Sequence, residues 1–165
     1  MPDVTITIET LKPQYAEELA ELQKITLPTL TEAEWLRKEH FLKHCELFPE
    51  GQFVAICDGK IVGLGSGFLI DFDFDHPNHS FIEFVDYGFY SNHDPDGEWY
   101  YGTDITVHPQ YRRRGIGAML YAARKTVIQK LNRRGLVAGG LIPDFAHHKH
   151  TMSVHIYVEK VLAGE

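Results

Sequence analysis

The stretch TDITVHPQYRRRGIGAMLYAARK, Thr103 to Lys125, decides the fold. In its first part Ile105 and Val107 fall on one face of a strand, which Pro109 closes. From Gly115 the period changes. Ile116, Leu120, Ala123, Val127 and Leu131 recur at helical spacing and predict a helix to about Asn132, with Gly135 as its C-terminal stop. Between strand and helix lie Arg112, Arg113, Arg114, Gly115, Ile116 and Gly117. The start of a helix carries backbone N–H groups without partners and a partial positive charge. Glycines there remove the Cβ atoms that would keep an anion at a distance, so the turn suits a phosphate.

The identity of the phosphate ligand is narrowed by what is missing. No Gly-Lys-Ser/Thr follows the turn, so it is no nucleoside triphosphate loop. A dinucleotide fold would place a third glycine at residue 120 and an acid near residue 135, where this chain has Leu120 and Gly135.

Elsewhere the chain reads as one α/β domain over residues 1–165. Residues 4–9, VTITIE, predict a strand, and Pro13 opens a helix to about Thr26. Thr31 and Glu34 have capping-box spacing and predict a second helix to about Leu47. Residues 52–71 read as a hairpin turning at Asp58-Gly59. Residues 71–98 form an acidic, aromatic insertion, with a short strand expected near Phe81 to Phe84. Residues 135–143 predict a buried strand stopped by Pro143, and residues 152–164 a last helix.

The net charge of −7 conceals an asymmetry. Residues 111–134 hold eight Arg or Lys and no acid, whereas residues 71–104 hold nine Asp or Glu and no Lys or Arg. One segment could face an anion and the other a cation. An acidic chain whose basic stretch is taken up by an anionic ligand is not read as a nucleic-acid binder. No apolar run approaches a membrane span and no secretory leader is evident, so a cytoplasmic location is expected, with Cys45 and Cys57 as thiols rather than a disulfide. His147, His148 and His150 fit no zinc spacing, and no metal is expected.

ITVHPQYRRRGIGAMLYAARK resembles the acetyl-coenzyme A motif of the GCN5-related N-acetyltransferases, Arg/Gln-x-x-Gly-x-Gly/Ala. The order of elements resembles that fold too, a mixed central sheet flanked by helices. The resemblance is strongest over residues 99–143, weaker over residues 4–70 and absent in the insertion. NRRGLVAGGLIP further resembles a subset of such domains, some fused to a carbon–nitrogen hydrolase domain.

The resemblance implies acetyl-coenzyme A as co-substrate. Backbone N–H groups of Arg113, Arg114, Gly115, Ile116, Gly117 and Ala118 would hold its pyrophosphate, and Arg112 would brace the loop. The strand Ile105, Thr106, Val107 would pair with the pantetheine arm, and the strand at Leu136 to Leu141 would splay away to admit the thioester. It implies transfer to a primary amine on a small molecule or peptide, a cationic one if the acidic segment lines the site.

An amine of pKa near 10 must lose a proton before it attacks. Asp104, then Glu98, are the candidate bases, with Glu83 and His108 behind them; each also reads as a surface charge, and His108 as a strand-end cap. Tyr157 on the last helix is the candidate acid, although His150, Ser153 and Tyr157 match the family's helix pattern only at Tyr157; a packed aromatic is the competing reading. The family fold continues into two more strands after that helix, whereas this chain stops at Glu165. The expectation is therefore a domain that is cut, or completed by a partner, or that has lost the last strands, with an exposed edge that invites a homodimer. The alternative function is a non-catalytic module that senses acyl-coenzyme A or regulates an associated enzyme.

Overall fold

The computed structural model describes residues 5–140 and 145–164. Val4 of the expected first strand, and Leu141 and Pro143 at the end of the expected buried strand, lie outside the described residues. Strand β1 (Ile6–Thr10) leads to a single turn at Pro13–Tyr15 and helix α1 (Ala16–Thr26). Helix α2 (Lys38–Leu47), the hairpin β2 (Phe53–Cys57) and β3 (Lys60–Ile70), and the short helix α3 (Phe81–Phe84) follow. Then come β4 (Trp99–Val107), α4 (Ile116–Lys130), β5 (Gly135–Ala138), α5 (Phe145–His148) and α6 (Val154–Ala163). The five strands form one sheet in the order β1-β2-β3-β4-β5. The pairs from β1 to β4 are antiparallel, and β4 runs parallel to β5.

The sheet lies between two helical layers. On one face Val54, Ile61 and Leu64 pack with Leu19, Leu22 and Phe41 of α1 and α2. On the other, Ala55, Val62, Leu69 and Tyr100 pack with Ile116, Leu120 and Val127 of α4. The side-chain alternation of a strand makes this two-sided burial possible. At the hairpin, Asp58 (φ 50°) and Gly59 (φ 78°) take the left-handed conformations that a tight two-residue turn requires.

Three local expectations are corrected. Helix α2 begins at Lys38, not Thr31. Glu34 does accept hydrogen bonds from the Thr31 N–H (2.8 Å) and hydroxyl (2.7 Å), but only one turn forms there. The Gln23 side chain accepts from the Leu36 N–H, and Arg37 is extended; its N–H donates to His40 Nδ1 (2.9 Å), which restarts the helix. The segment at Phe81 is one helical turn rather than a strand. Helix α4 is ended by Asn132, at φ 53°, whereas Gly135 opens β5. A Cβ at Gly135 would stand 3.1 Å from the Trp99 ring, so glycine there admits the β4–β5 pairing.

The insertion is anchored rather than loose. Val85 and Tyr90 form a third apolar cluster with Phe68 and Tyr101. The Tyr90 ring stacks on His44 at 3.8 Å, and His44 Nε2 donates to the Gly88 carbonyl at 2.7 Å. Burial pushes the His44 pKa down to about 3, so the ring is neutral, as a buried donor to a carbonyl should be. Cys45 and Cys57 are free thiols, the first half-buried and the second buried.

Candidate active site

Strand β4 carries a bulge. Asp104 pairs with Ser66 and Gly102 with Gly67, which leaves Thr103 as an extra residue. One extra residue exchanges the faces of everything beyond it. Ile105 and Val107 pack against the α4 layer together with Tyr100, an odd number of positions away. Asp104, which strict alternation would turn into that apolar layer, instead lines a cavity on the α1 side next to Thr103. Arg124 fills the space under the bulge. Its guanidinium is buried and donates to the Ser66 carbonyl (2.6 Å) and to the Asp104 carbonyl. A Cβ at Gly102 would come within 3.0 Å of it, so glycine is what the guanidinium's approach requires.

The Asp104 carboxylate is positioned from a distance in sequence. Gln23 Nε2 donates to its Oδ2 at 2.6 Å, while Gln23 Oε1 is held by the Leu36 N–H. Oδ1 accepts no hydrogen bond among the described residues. Desolvation raises the Asp104 pKa, opposed by the Gln23 hydrogen bond and the charge of Arg124. Beside it, Tyr90 Oη lies 2.6 Å from Thr103 Oγ1, which is 2.9 Å from Ser66 Oγ. This hydroxyl chain ties the insertion to the bulge.

The cavity measures about 420 Å³, within the range of small-molecule sites. Its walls come from α1, the segment before α2, the insertion, the bulge and Gly139-Gly140 after β5. Pairing between β4 and β5 stops at Gly102 with Ala138, while β4 continues to Val107. Among the described residues β5 therefore ends beside the bulge, and β4 runs on past it.

At the end of β4 lies the glycine turn. His108 caps it, its Nδ1 accepting from the Gln110 N–H. Arg112 Nε donates to the Val107 carbonyl at 3.1 Å and ties the loop to the strand. Arg114 lies over the Tyr111 ring. Arg113 (φ 62°) and Gly115 (φ 78°) are left-handed, which brings the chain round onto α4. Among the described residues the N–H groups of Arg113 to Ala118 donate no hydrogen bond, and a Cβ at Gly115 or Gly117 would meet nothing within 4 Å. These open amides at the head of a helix are an anion cradle.

Other candidates stand apart. Glu98 is exposed at the start of β4 and pairs with Arg134 at 3.1 Å. Glu83 is exposed on α3. Tyr157 packs against Phe145 and His148, and the cavity lining around Asp104 does not include it. The acidic and basic segments also meet each other: Arg133 donates to the carbonyls of Pro95 and Asp96. Gln23, Tyr90 and Arg124 were not singled out from the sequence. The odd spacing from Tyr100 to Ile105 is the signal that announces the bulge, and with it the need for a group such as Arg124.

Strand, bulge, open glycine turn and helix define an α/β domain built to hold a phosphate-bearing ligand at the end of β4. Residues 16–139 match the Acetyltransferase (GNAT) family, and the chain belongs to that family. It is 38% identical over 156 residues to the "Probable hydrolase YhcX" of Bacillus subtilis (strain 168), matching 94% of this chain and 30% of that protein. It is 35% identical over 162 residues to the "Uncharacterized N-acetyltransferase YkwB" of the same organism, matching 96% of this chain and 71% of that protein. The chain thus spans under a third of the first relative. Among solved structures, the GphF GNAT-like decarboxylase in complex with isobutyryl-CoA superimposes with a TM-score of 0.72 at 18% identity, covering 93% of this chain and 75% of that one. The aminoglycoside N-acetyltransferase AAC(6')-Iy in complex with CoA does so with a TM-score of 0.59 at 16% identity, covering 90% and 86%. At these identities the likeness is one of fold.

Proposed function

We propose that this chain transfers an acetyl group directly from acetyl-coenzyme A to a primary amine. The observation that carries the reading is the bulge, which turns Asp104 into a cavity on the same strand that leads to the open glycine turn. The cradle fits the co-substrate: amides from Arg113 to Ala118 that donate to nothing among the described residues suit a pyrophosphate, and the edge of β4 at Ile105 to Val107, unpaired on the β5 side among those residues, suits the amides of a pantetheine arm. Acetyl-coenzyme A supplies a thioester carbonyl. The protein's part is to orient and deprotonate the amine.

Asp104 Oδ1 takes a proton from the amine, and the raised pKa makes this carboxylate a stronger base than an exposed one. The amine nitrogen forms the new C–N bond as the C–S bond breaks. The proton first taken from the ammonium passes from Asp104 to solvent; the second, lost from the nitrogen as the C–N bond forms, goes to the departing thiolate, so ammonium and thioester give acetamide, thiol and one released proton. Gln23 keeps the carboxylate in place throughout, and the Arg124 charge below the strand limits how far its pKa rises.

Asp104→Asn tests this. Its kcat should fall about 100-fold, as loss of a general base does, with binding of acetyl-coenzyme A unchanged by calorimetry. The wild-type kcat/KM should lose activity on the acid side at a pH above the usual carboxylate range. Undiminished turnover in the variant would remove Asp104 from the reaction.

A further inference from the structure

We propose that the acceptor is a monoamine carried on an apolar, preferably aromatic, body, and not a polyamine, an aminoglycoside or another polycation. The inference rests on the reading of the cavity as the amine site. It departs from the expectation drawn from the acidic segment, because apart from Asp104 itself no carboxylate of that segment lines the cavity. Asp73 turns back on its own loop, bonded to the Asp75 and His76 N–H groups and to the His76 ring. Neither Asp73, Asp75 nor Asp96 lines the cavity.

The lining is instead apolar. Leu27, Leu36, Ile82 and Val85 form its walls. The Trp35 indole is fixed by its hydrogen bond to the Leu27 carbonyl at 2.9 Å. Phe81 and Tyr87 border the cavity with 49% and 60% of their surface exposed, high values for aromatic side chains and those expected of an unfilled rim. Among the described residues no Lys or Arg lines it. Its two carboxylates are not equivalent. Glu34 is exposed, so water screens its charge, and both bonds it accepts from Thr31 fall on Oε2. Asp104 lies at the sheet with one oxygen held by Gln23 and one unbonded.

One ammonium group can therefore be matched by one carboxylate while its hydrocarbon body replaces water on the walls. Each further cationic group would be stripped of water against leucine and phenylalanine without a partner, which costs more than the contacts return. Aromatic walls also favour an aromatic guest in edge or offset contact.

The test is an acceptor panel at saturating acetyl-coenzyme A, with 2-phenylethylamine and hexylamine set against spermidine, kanamycin and Nα-acetyl-lysinamide. The kcat/KM for 2-phenylethylamine should exceed that for spermidine at least about tenfold, which corresponds to about 1.4 kcal/mol. Phe81→Ala, at an exposed position, should raise the KM for 2-phenylethylamine severalfold. Faster turnover of spermidine or kanamycin would overturn the inference and leave the transfer reading standing. Should no amine turn over, calorimetric titration of 2-phenylethylamine into the protein decides. Binding weakened by Asp104→Asn would uphold the apolar monoamine site and sink acetyl transfer. Absence of binding would overturn the inference.

Discussion

The glycine turn and the cavity lie at the two ends of one short stretch of β4, yet they are built by opposite means. At Gly117 a Cβ would meet nothing within 4 Å. The site consists of backbone, and what matters is what the side chains leave out. At Asp104 everything depends on side chains brought from far along the chain: Gln23 from α1, Tyr90 from the insertion, Arg124 from α4. The difference teaches that the part holding the invariant portion of a co-substrate can be specified by about six consecutive residues, whereas the part that selects the acceptor needs the whole fold.

Gly117→Glu should break the comparison at its most local point, with the largest effect. The new carboxylate would occupy the cradle, and like charges forced together cost several kcal/mol. Binding of acetyl-coenzyme A should weaken about 1000-fold by calorimetry. The melting temperature should stay near that of wild type, since the side chain enters open space. Retained micromolar binding would mean that the pyrophosphate is held elsewhere.

The same contrast governs what could be read from sequence. Residues 103–132 announce themselves because strand period, glycine turn and helix period are local signals. The Asp58-Gly59 hairpin is legible for the same reason. The insertion is not: nothing near Tyr90 reveals that its hydroxyl meets Thr103 and its ring meets His44. The capping box at Thr31 is a true local signal overruled by tertiary contacts, since Gln23 and the cavity hold Leu36 out of a helix. Asp104 was found as a polar residue on a core strand, but its orientation depends on a bulge completed by Arg124. The charge asymmetry carries no direction when counted along a sequence: Arg133 and Arg134 bond to Pro95, Asp96 and Glu98 of the acidic segment, whereas Arg112 to Arg114 stand at the glycine turn.

His44 sharpens the comparison by pH. Its ring supports Tyr90 and Gly88 at the cavity, and its pKa falls from 6.5 to about 3 on burial. Above the unfolded value the ring is neutral in both states. As pH drops below 6.5 the unfolded chain takes up a proton that the folded chain refuses, so stability declines by about 1.4 kcal/mol per pH unit down to about 3. His44→Gln keeps a donor for the Gly88 carbonyl without the titration. Urea unfolding at about pH 7 and about pH 5 should show the variant losing roughly 2 kcal/mol less than wild type. Equal losses would place the acid sensitivity elsewhere, with the buried His40 and the half-buried His93, whose pKa values burial also lowers, as the next groups to replace.

The smallest expected effect is the most pointed. If acceptor choice followed the acidic segment, replacing Asp73, Asp75 and Asp96 together by Asn would raise the KM of a cationic amine strongly. Asp73 is bonded within its own loop, and the backbone of Asp96 receives Arg133. Among the described residues the carboxylates that line the cavity are Asp104 at the sheet and the exposed Glu34, neither of them among the three replaced. Exposed charges outside the site act on a cation only through water and salt, an influence that fades beyond about 10 Å at ordinary ionic strength. The triple variant should therefore keep KM for 2-phenylethylamine within about twofold at 0.1 M salt, with a slightly larger change at low salt as long-range attraction weakens. A tenfold rise that persists at high salt would show that the insertion reaches the acceptor directly, and that the cavity around Asp104 is only part of the site.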